Sequence, residues 1–250
     1  MPSSPVSKAP DRIAGMFDAI AGRYDLLNHL LSAGIDRRWR TRAIASLHLT
    51  GRERVLDLCT GTGDLAIAAV RAHPSASRVV GVDFSGQMLR VGDEKLRTAN
   101  LTDRISLVRG DATKIPVAGS TMDAVTIGFG IRNVVDMDAA CAELLRVLKP
   151  GGRLAILEFA VPTLPVFSGL YGWYVRRVLP LIGRALSKND SAYTYLPASI
   201  SAFATPDEFV KILRLAGFSE ITPISLMLGS VILYTARKGL APGCYTAVST

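Results

Sequence analysis

The clearest chemical signal lies in VLDLCTGTGD, residues 55–64, where a β-rich run ends in an acid and passes through two glycines toward a helix. Gly61 and Gly63 bracket Thr62 and let the backbone approach a ligand closely, while the helix that follows opens with N–H groups lacking an internal partner. A dinucleotide loop would read G-x-G-x-x-G, but the third position after Gly63 is Ala66, which that pattern only sometimes takes. Asp57 and Asp64 flank the glycines and would repel a pyrophosphate. Such a loop better suits a ligand with a positive centre and an amino group. Alone, a glycine-rich turn can be no more than a tight connection, so the reading depends on acids elsewhere.

Two further acids close β-rich runs. Asp83 ends RVVGVD about 20 residues past the glycines, where an acid on the second strand can hold both hydroxyls of a ribose. Asp111 follows RISLVRG, where its carboxylate could accept from an adenine amino group while the Ala112 N–H donates to the ring. Met88, one helical turn past Asp83, is either helix core or an apolar slab against the adenine face. Ligands of open α/β sheets bind at the carboxyl ends of strands, which is where these acids fall.

The elements that must position these residues follow from length and pattern. The chain has 250 residues, 49% hydrophobic and 20% charged, which suits one globular domain. Residues 13–50 place apolar side chains at helical spacing, interrupted by Gly22 and Gly34, and predict a helical cap of two or three helices. The core alternates RVLDLC, a helix from Asp64, RVVGVDF, a helix through Met88, RISLVRG, MDAVTIGF, a helix from Met137 to Leu148, and RLAILEF. Five strands with crossover helices predict an α/β fold with a doubly wound parallel sheet. Lys149-Pro150-Gly151-Gly152 reads as a sharp stop before the fifth strand. From residue 160 to 205 the pattern loosens into an insertion, after which a helix from Pro206, ended by Gly217, and the runs ITPISLML and SVILYTAR complete seven strands, the last antiparallel. Residues 1–12 and 240–250 read as loose termini around a folded domain of residues 13–239.

Charge and cysteines narrow the partners. Lys and Arg outnumber Asp and Glu by 29 to 21, so the surface should attract anions without specifying which. Three dispersed cysteines support neither a disulfide framework nor a metal site. Charged residues interrupt every apolar stretch before membrane-spanning length, so the expected protein is soluble or peripheral, in a reducing cytoplasm.

At this point the chain resembles the class I methyltransferases, and more narrowly the quinone-biosynthesis C-methyltransferase family (UbiE/Coq5/MenG type). The motifs that carry the resemblance, spread over residues 16–238, are YDLLNHLLSAGIDRRWR (24–40), LDLCTGTGDLA, FGIRNV (129–134), RVLKPGG (146–152), LEFAVP (157–162) and YTYLPASISAF (193–203). The resemblance implies a Rossmann-like fold with helices on both faces of the sheet, S-adenosylmethionine as cofactor, and cofactor contacts at Thr62, Asp83, Asp111, Ala112 and Gly128, to which the loop chemistry adds Asp57, Gly61, Gly63 and Met88. Relatives often carry Ser at the Gly128 position, and a histidine in the last strand where this chain reads ILYTARKG.

The implied reaction is C-methylation of a polyprenyl quinol, demethylmenaquinol to menaquinol first and the matching ubiquinone step second. A quinone ring is too electron-poor to attack a methyl sulfonium, so the ring must be reduced. Arg132 and Asn133 follow the fourth strand and are candidates for holding ring oxygens, Arg132 as electrostatic stabiliser of a phenolate because its pKa, above about 12, excludes it as a base. Tyr24 and Asn28 could cover the site. A surface ion pair at Arg132 and simple packing at Tyr24 are the plainer readings. Residues 159–189 contain no Asp or Glu but have Arg176, Arg177, Arg184 and Lys188 among Trp173, Tyr174 and other apolar residues, which suits an anionic lipid surface and places the protein peripherally at the inner face of the cell membrane. No nucleic-acid module is evident, no metal is expected, and a homodimer is compatible with the sequence. The competing functions are a methyltransferase of another aromatic or polyketide-type molecule, and a non-catalytic quinol-binding assembly factor.

Overall fold

The computed structural model describes residues 10–32, 34–72, 78–162 and 191–240. Most of the expected insertion, with its basic and aromatic residues, and nearly all of both termini lie outside the described residues. Three helices precede the sheet: α1 (Pro10–Ile20), α2 (Tyr24–Leu31) and α3 (Asp36–Ser46). Then follow β1 (Arg54–Leu58), α4 (Asp64–Ala72), β2 (Arg78–Asp83), α5 (Gly86–Thr98), β3 (Ile105–Arg109), β4 (Met122–Gly128), α6 (Met137–Val147), β5 (Leu148–Phe159), α7 (Ser191–Ser201), α8 (Pro206–Leu215), β6 (Phe218–Leu226) and β7 (Val231–Lys238).

Among the described residues these strands form one seven-stranded sheet in the order β3-β2-β1-β4-β5-β7-β6, with β7 antiparallel to both neighbours and the other pairs parallel. Because β1 and β4 are adjacent while the chain leaves them in opposite directions, the crevice beyond their carboxyl ends is the topological switch point, where doubly wound sheets bind ligands. The run Val55 to Leu58 is buried throughout because helices cover both faces of a central parallel strand. Helix starts follow local chemistry: Ser85 and Asp136 cap α5 and α6, and Thr205 with Glu208 forms a capping box at α8.

Three local expectations change. Lys149-Pro150-Gly151-Gly152 lies inside β5 as an irregularity, Leu148 facing Met122 and Arg153 facing Ala124, because Gly151 adopts a φ of 76° and the strand resumes on the same partner. Ser191–Ser201 is helical despite Pro197, within the stretch read as irregular. No α-helix spans β3 to β4. That connection is held instead by α6, whose Glu143 accepts from the Ile115 N–H at 2.7 Å while Arg146 donates to the carbonyls of Val117 and Ile115.

Two carboxylates at opposite ends of β1 respond oppositely to pH. Burial works against the charge of Glu53, but the N–H and hydroxyl of Thr50 and the Gly51 N–H outweigh it and bring its pKa from 4.5 to about 2. Burial of Asp57, only partly offset by bonds from Thr60, Thr126 and the Ala66 N–H, raises its pKa from 3.8 to about 6. The depressed Glu53 contributes about 3 kcal/mol that is present above pH ~5 and lost as pH falls toward ~2. The raised Asp57 has the reverse sign, its contribution being complete below the unfolded pKa and drawn down as pH rises toward ~6. Glu53→Gln should therefore flatten the acid limb of stability measured by urea unfolding between pH ~5 and ~2, and an unchanged limb would refute the assignment.

Candidate active site

A cavity of about 320 Å³ opens at the switch point, lined from the carboxyl ends of β1, β2 and β4, from the segment after β3, and from α1 and α2 above. The glycine-rich turn is built on left-handed backbone: φ is 55° at Cys59, 57° at Gly61 and 82° at Gly63. Gly61 and Gly63 adopt this without cost, and Cys59 is tolerated against Gly130, where any Cβ would fall 2.3 Å from that of Cys59.

Asp83 is the hinge of the pocket. One of its oxygens accepts from the Gly61 N–H and the other from the Ser85 N–H, both at 2.8 Å, joining the first glycine turn to the cap of α5. Burial raises its pKa against these bonds. A carboxylate has about four lone-pair sites, and with the Phe84 N–H acting on it as well as those of Gly61 and Ser85, part of its accepting capacity stays available for a ligand hydroxyl. Met88, 2% exposed, supplies an apolar wall, and Asp111, fixed by the Thr113 N–H and hydroxyl on one oxygen, stands with Ala112 at the far end.

Of the expected site residues, Tyr24, Gly61, Asp83, Met88, Asp111, Ala112, Gly128 and Asn133 line this cavity. Asp57, Thr62, Gly63 and Arg132 do not, and act from behind it. Asp57 holds the turn through Thr60 and the first residues of α4 through Ala66. Thr62 turns away from the cavity and donates to Asp25 of α2 at 2.6 Å, while Lys95 reaches Asp25, Thr62 and Asp64 together. Arg40 adds ion pairs to Asp36 and Asp64, so α2 and α3 are latched to the glycine turn. Asp18 of α1 accepts from the Ser85 hydroxyl and the Gln87 N–H. Tyr24 is raised in pKa by burial, against its bond with Asn28, and remains a neutral phenol.

Arg132 departs from both of its sequence readings. It is buried, with its guanidinium 2.8 Å from Glu158, in contact with the Phe129 carbonyl, and 5.4 Å over the Phe159 ring. Glu158, 0% exposed, also accepts from the N–H groups of Arg132 and Phe159. The pair offsets its own charge and fixes the turn after β4, so Arg132 does not present a free cation to the cavity. Sequence reasoning missed Glu158, Asp136 and the α1 residues Ile13, Ala14 and Phe17, the last four of which line the cavity. Asp136 was legible only as a helix cap, and the apolar residues of α1 only as packing.

The donor set decides what fits. Among the described residues the lining holds three carboxylates, Asp83, Asp111 and Asp136, and no Lys, Arg or His. This repels phosphate and suits a cationic ligand carrying a diol and a flat ring, as S-adenosylmethionine does. The fold and this pocket define a Rossmann-like class I methyltransferase. The chain belongs to the ubiE/COQ5 methyltransferase family, whose model matches residues 6–238. It is 49% identical to the ubiquinone/menaquinone biosynthesis C-methyltransferase UbiE of Syntrophotalea carbinolica, over 91% of this chain and 94% of the relative. It is 41% identical to the demethylmenaquinone methyltransferase of Porphyromonas gingivalis, over 91% and 93%. The fold is shared with the [4+2]-cyclase SpnF (TM-score 0.67, 18% identity, 96% of this chain and 99% of that one). A putative S-adenosyl-L-methionine-dependent methyltransferase from Methanococcus maripaludis shares it too (TM-score 0.63, 21% identity, 98% and 100%).

The buried pair makes a direct prediction. Arg132→Ala or Glu158→Ala should each cost about 3–5 kcal/mol in urea unfolding, because each leaves an unpaired buried charge, whereas Arg132→Met with Glu158→Leu should recover most of that loss. Single variants as stable as the parent would show that the pair is hydrated.

Proposed function

We propose that this protein methylates a ring carbon of a reduced polyprenyl quinol, converting demethylmenaquinol to menaquinol, with the corresponding ubiquinone step as a second activity. The observation that carries the cofactor half of this reading is the pocket lined, among the described residues, by carboxylates without a basic side chain. Family membership and the names of the relatives support the substrate half. S-adenosylmethionine supplies an electrophilic methyl group when bound. Asp83 would hold its ribose, Met88 would pack against its adenine, and Asp111 and Ala112 would read the adenine edge. Gly128, where a Cβ would meet Leu65 at 3.4 Å, leaves room for backbone contact.

The protein's remaining work is to exclude water and to align the ring. Ile13, Phe17 and Tyr24 roof the cavity, and the latch from Asp25 to Thr62 and Lys95 keeps that roof on the glycine turn. Asn133, in the turn after β4, lines the cavity and would hold a ring oxygen as the ring carbon takes the methyl group and the phenolic proton passes to water.

A polyprenyl tail requires access from a lipid surface, which we assign to the carboxyl edge of the sheet and the insertion of residues 160–205. Val161, Met227 and Leu228, 51%, 52% and 52% exposed, stand together there, because Val231 pairs with Phe159 and Ala160 bonds Ser230. No helix among the described residues is long and apolar enough to cross a membrane; the contact proposed here is peripheral.

Purified protein should transfer methyl groups to demethylmenaquinol and restore methylated menaquinone, identified by mass, in cells lacking their quinone C-methyltransferase. Activity only on other aromatics would overturn the substrate. Asp83→Ala should weaken S-adenosylmethionine binding by about 1.5–3 kcal/mol for each hydrogen bond lost, and unchanged calorimetric affinity would remove Asp83 from the site. Anionic liposomes should bind the protein more than neutral ones, with binding falling as salt rises, and Met227→Ser with Leu228→Ser should weaken it. Equal binding to both liposomes would refute the lipid surface.

A further inference from the structure

Helix α7 carries two polar side chains one turn apart, Tyr195 and Ser199, and both meet the turn after β4. The Tyr195 hydroxyl donates to Asn133 Oδ1 at 2.9 Å, and Arg132 Nε donates to Ser199 Oγ at 3.4 Å, while Ser199 donates back to the Leu196 carbonyl. Residues four apart on a helix share a face, so α7 addresses consecutive residues of the turn. Asn133 lines the cavity and Tyr195 does not.

This arrangement settles a choice that a carboxamide otherwise leaves open. Asn133 carries one acceptor oxygen and one donor amino group, and rotation by half a turn exchanges them. With Oδ1 occupied by the tyrosine, the amino group is what remains for a ligand. We propose that Tyr195 is a positioning residue that locks the Asn133 carboxamide with its N–H groups toward the cavity, so that the site recognises a substrate oxygen as a hydrogen-bond acceptor. This rests on the quinol reading above and names the feature of the quinol that is selected: the lone pairs of a ring oxygen, which strengthen as acceptors while its proton departs. A group that donates increasingly well to a developing phenolate contributes to turnover more than to ground-state binding.

Two features support the lock. Burial raises the Tyr195 pKa, with Arg132 opposing and Glu158 reinforcing, so the phenol stays protonated and remains a donor. Arg132, whose charge is offset by Glu158 at 2.8 Å, leaves Asn133 as the donor presented to the cavity by this turn. Narrow sequence motifs that lie far apart in the chain, FGIRNV and YTYLPASISAF, thus meet through side chains rather than through backbone pairing.

A double-mutant cycle tests the proposal. Asn133→Ala should lower kcat by about 10²–10³, the loss associated with one preorganised donor to a developing oxyanion. Tyr195→Phe should lower kcat up to about tenfold, with little change in the KM for S-adenosylmethionine. Asn133→Asp keeps the acceptor for Tyr195 but removes the donor, and should be no better than Ala. In the Asn133→Ala background Tyr195→Phe should have no further effect, because its action passes through the missing carboxamide. Additive losses would overturn the proposal by showing that Tyr195 acts through packing. The second readout needs no substrate: the Asn133 side-chain amide in an NMR spectrum of the labelled protein should be a single sharp pair that moves or broadens in Tyr195→Phe, and an unmoved pair would refute the lock. If the wild type methylates no quinol, the functional reading fails while this spectrum still decides the positional claim.

Discussion

The site depends on a single carboxylate placed between two loops. Asp83 accepts one N–H from the turn after β1 and one from the cap of α5, so the glycine turn and the start of α5 are set at a fixed separation before any ligand arrives. A buried carboxylate is unfavourable in isolation, and here the backbone donors Ser85, Gly61 and Phe84 offset only part of the cost of burial, so its pKa stays raised. The same carboxylate lines the cavity. The interaction that orders the loop thus belongs to a residue of the cavity lining, which is preorganisation in a direct form.

Around this point the acids are sorted by partner. Asp25, Asp36 and Asp64 are matched by Lys95 and Arg40 and serve to latch the helical roof. Asp57 is buried and held by hydroxyls. Asp83, Asp111 and Asp136 reach the cavity, whose lining among the described residues holds no basic side chain. The result is a local field favouring positive charge inside a chain whose formal net charge is +8. Global and local electrostatics thus differ in sign, and the local field suits the sulfonium of S-adenosylmethionine.

The turn after β4 is organised by the Arg132–Glu158 pair. A buried pair of this kind contributes little net stability against an apolar alternative, but it imposes one geometry on the turn that carries Asn133. Phe129, at a φ of 58° and stacked 4.4 Å from Phe159, is held in a strained conformation by the same contacts.

Much of this was legible in the residues themselves. Alternation of β-rich and helical runs, Gly61 and Gly63 at a strand end, and acids closing the next two strands are local patterns, and local propensity and hydrophobic period act over a few residues. They determined the doubly wound sheet and the positions of Asp83, Asp111 and Ala112. Sequence could not tell which face a polar side chain near the site would take. Thr62 and Gly61 are neighbours, yet one turns to α2 and the other lines the cavity. Arg132 and Asn133 are neighbours too, and only the second lines the cavity, because Glu158 on the next strand draws the first inward. The roles of Glu158 and Tyr195 arise from pairings across 26 and 62 positions of the chain. Such contacts form only once the sheet has closed and the helices have settled on it, so tertiary structure alone decided which charges are spent inside the protein and which are left for chemistry.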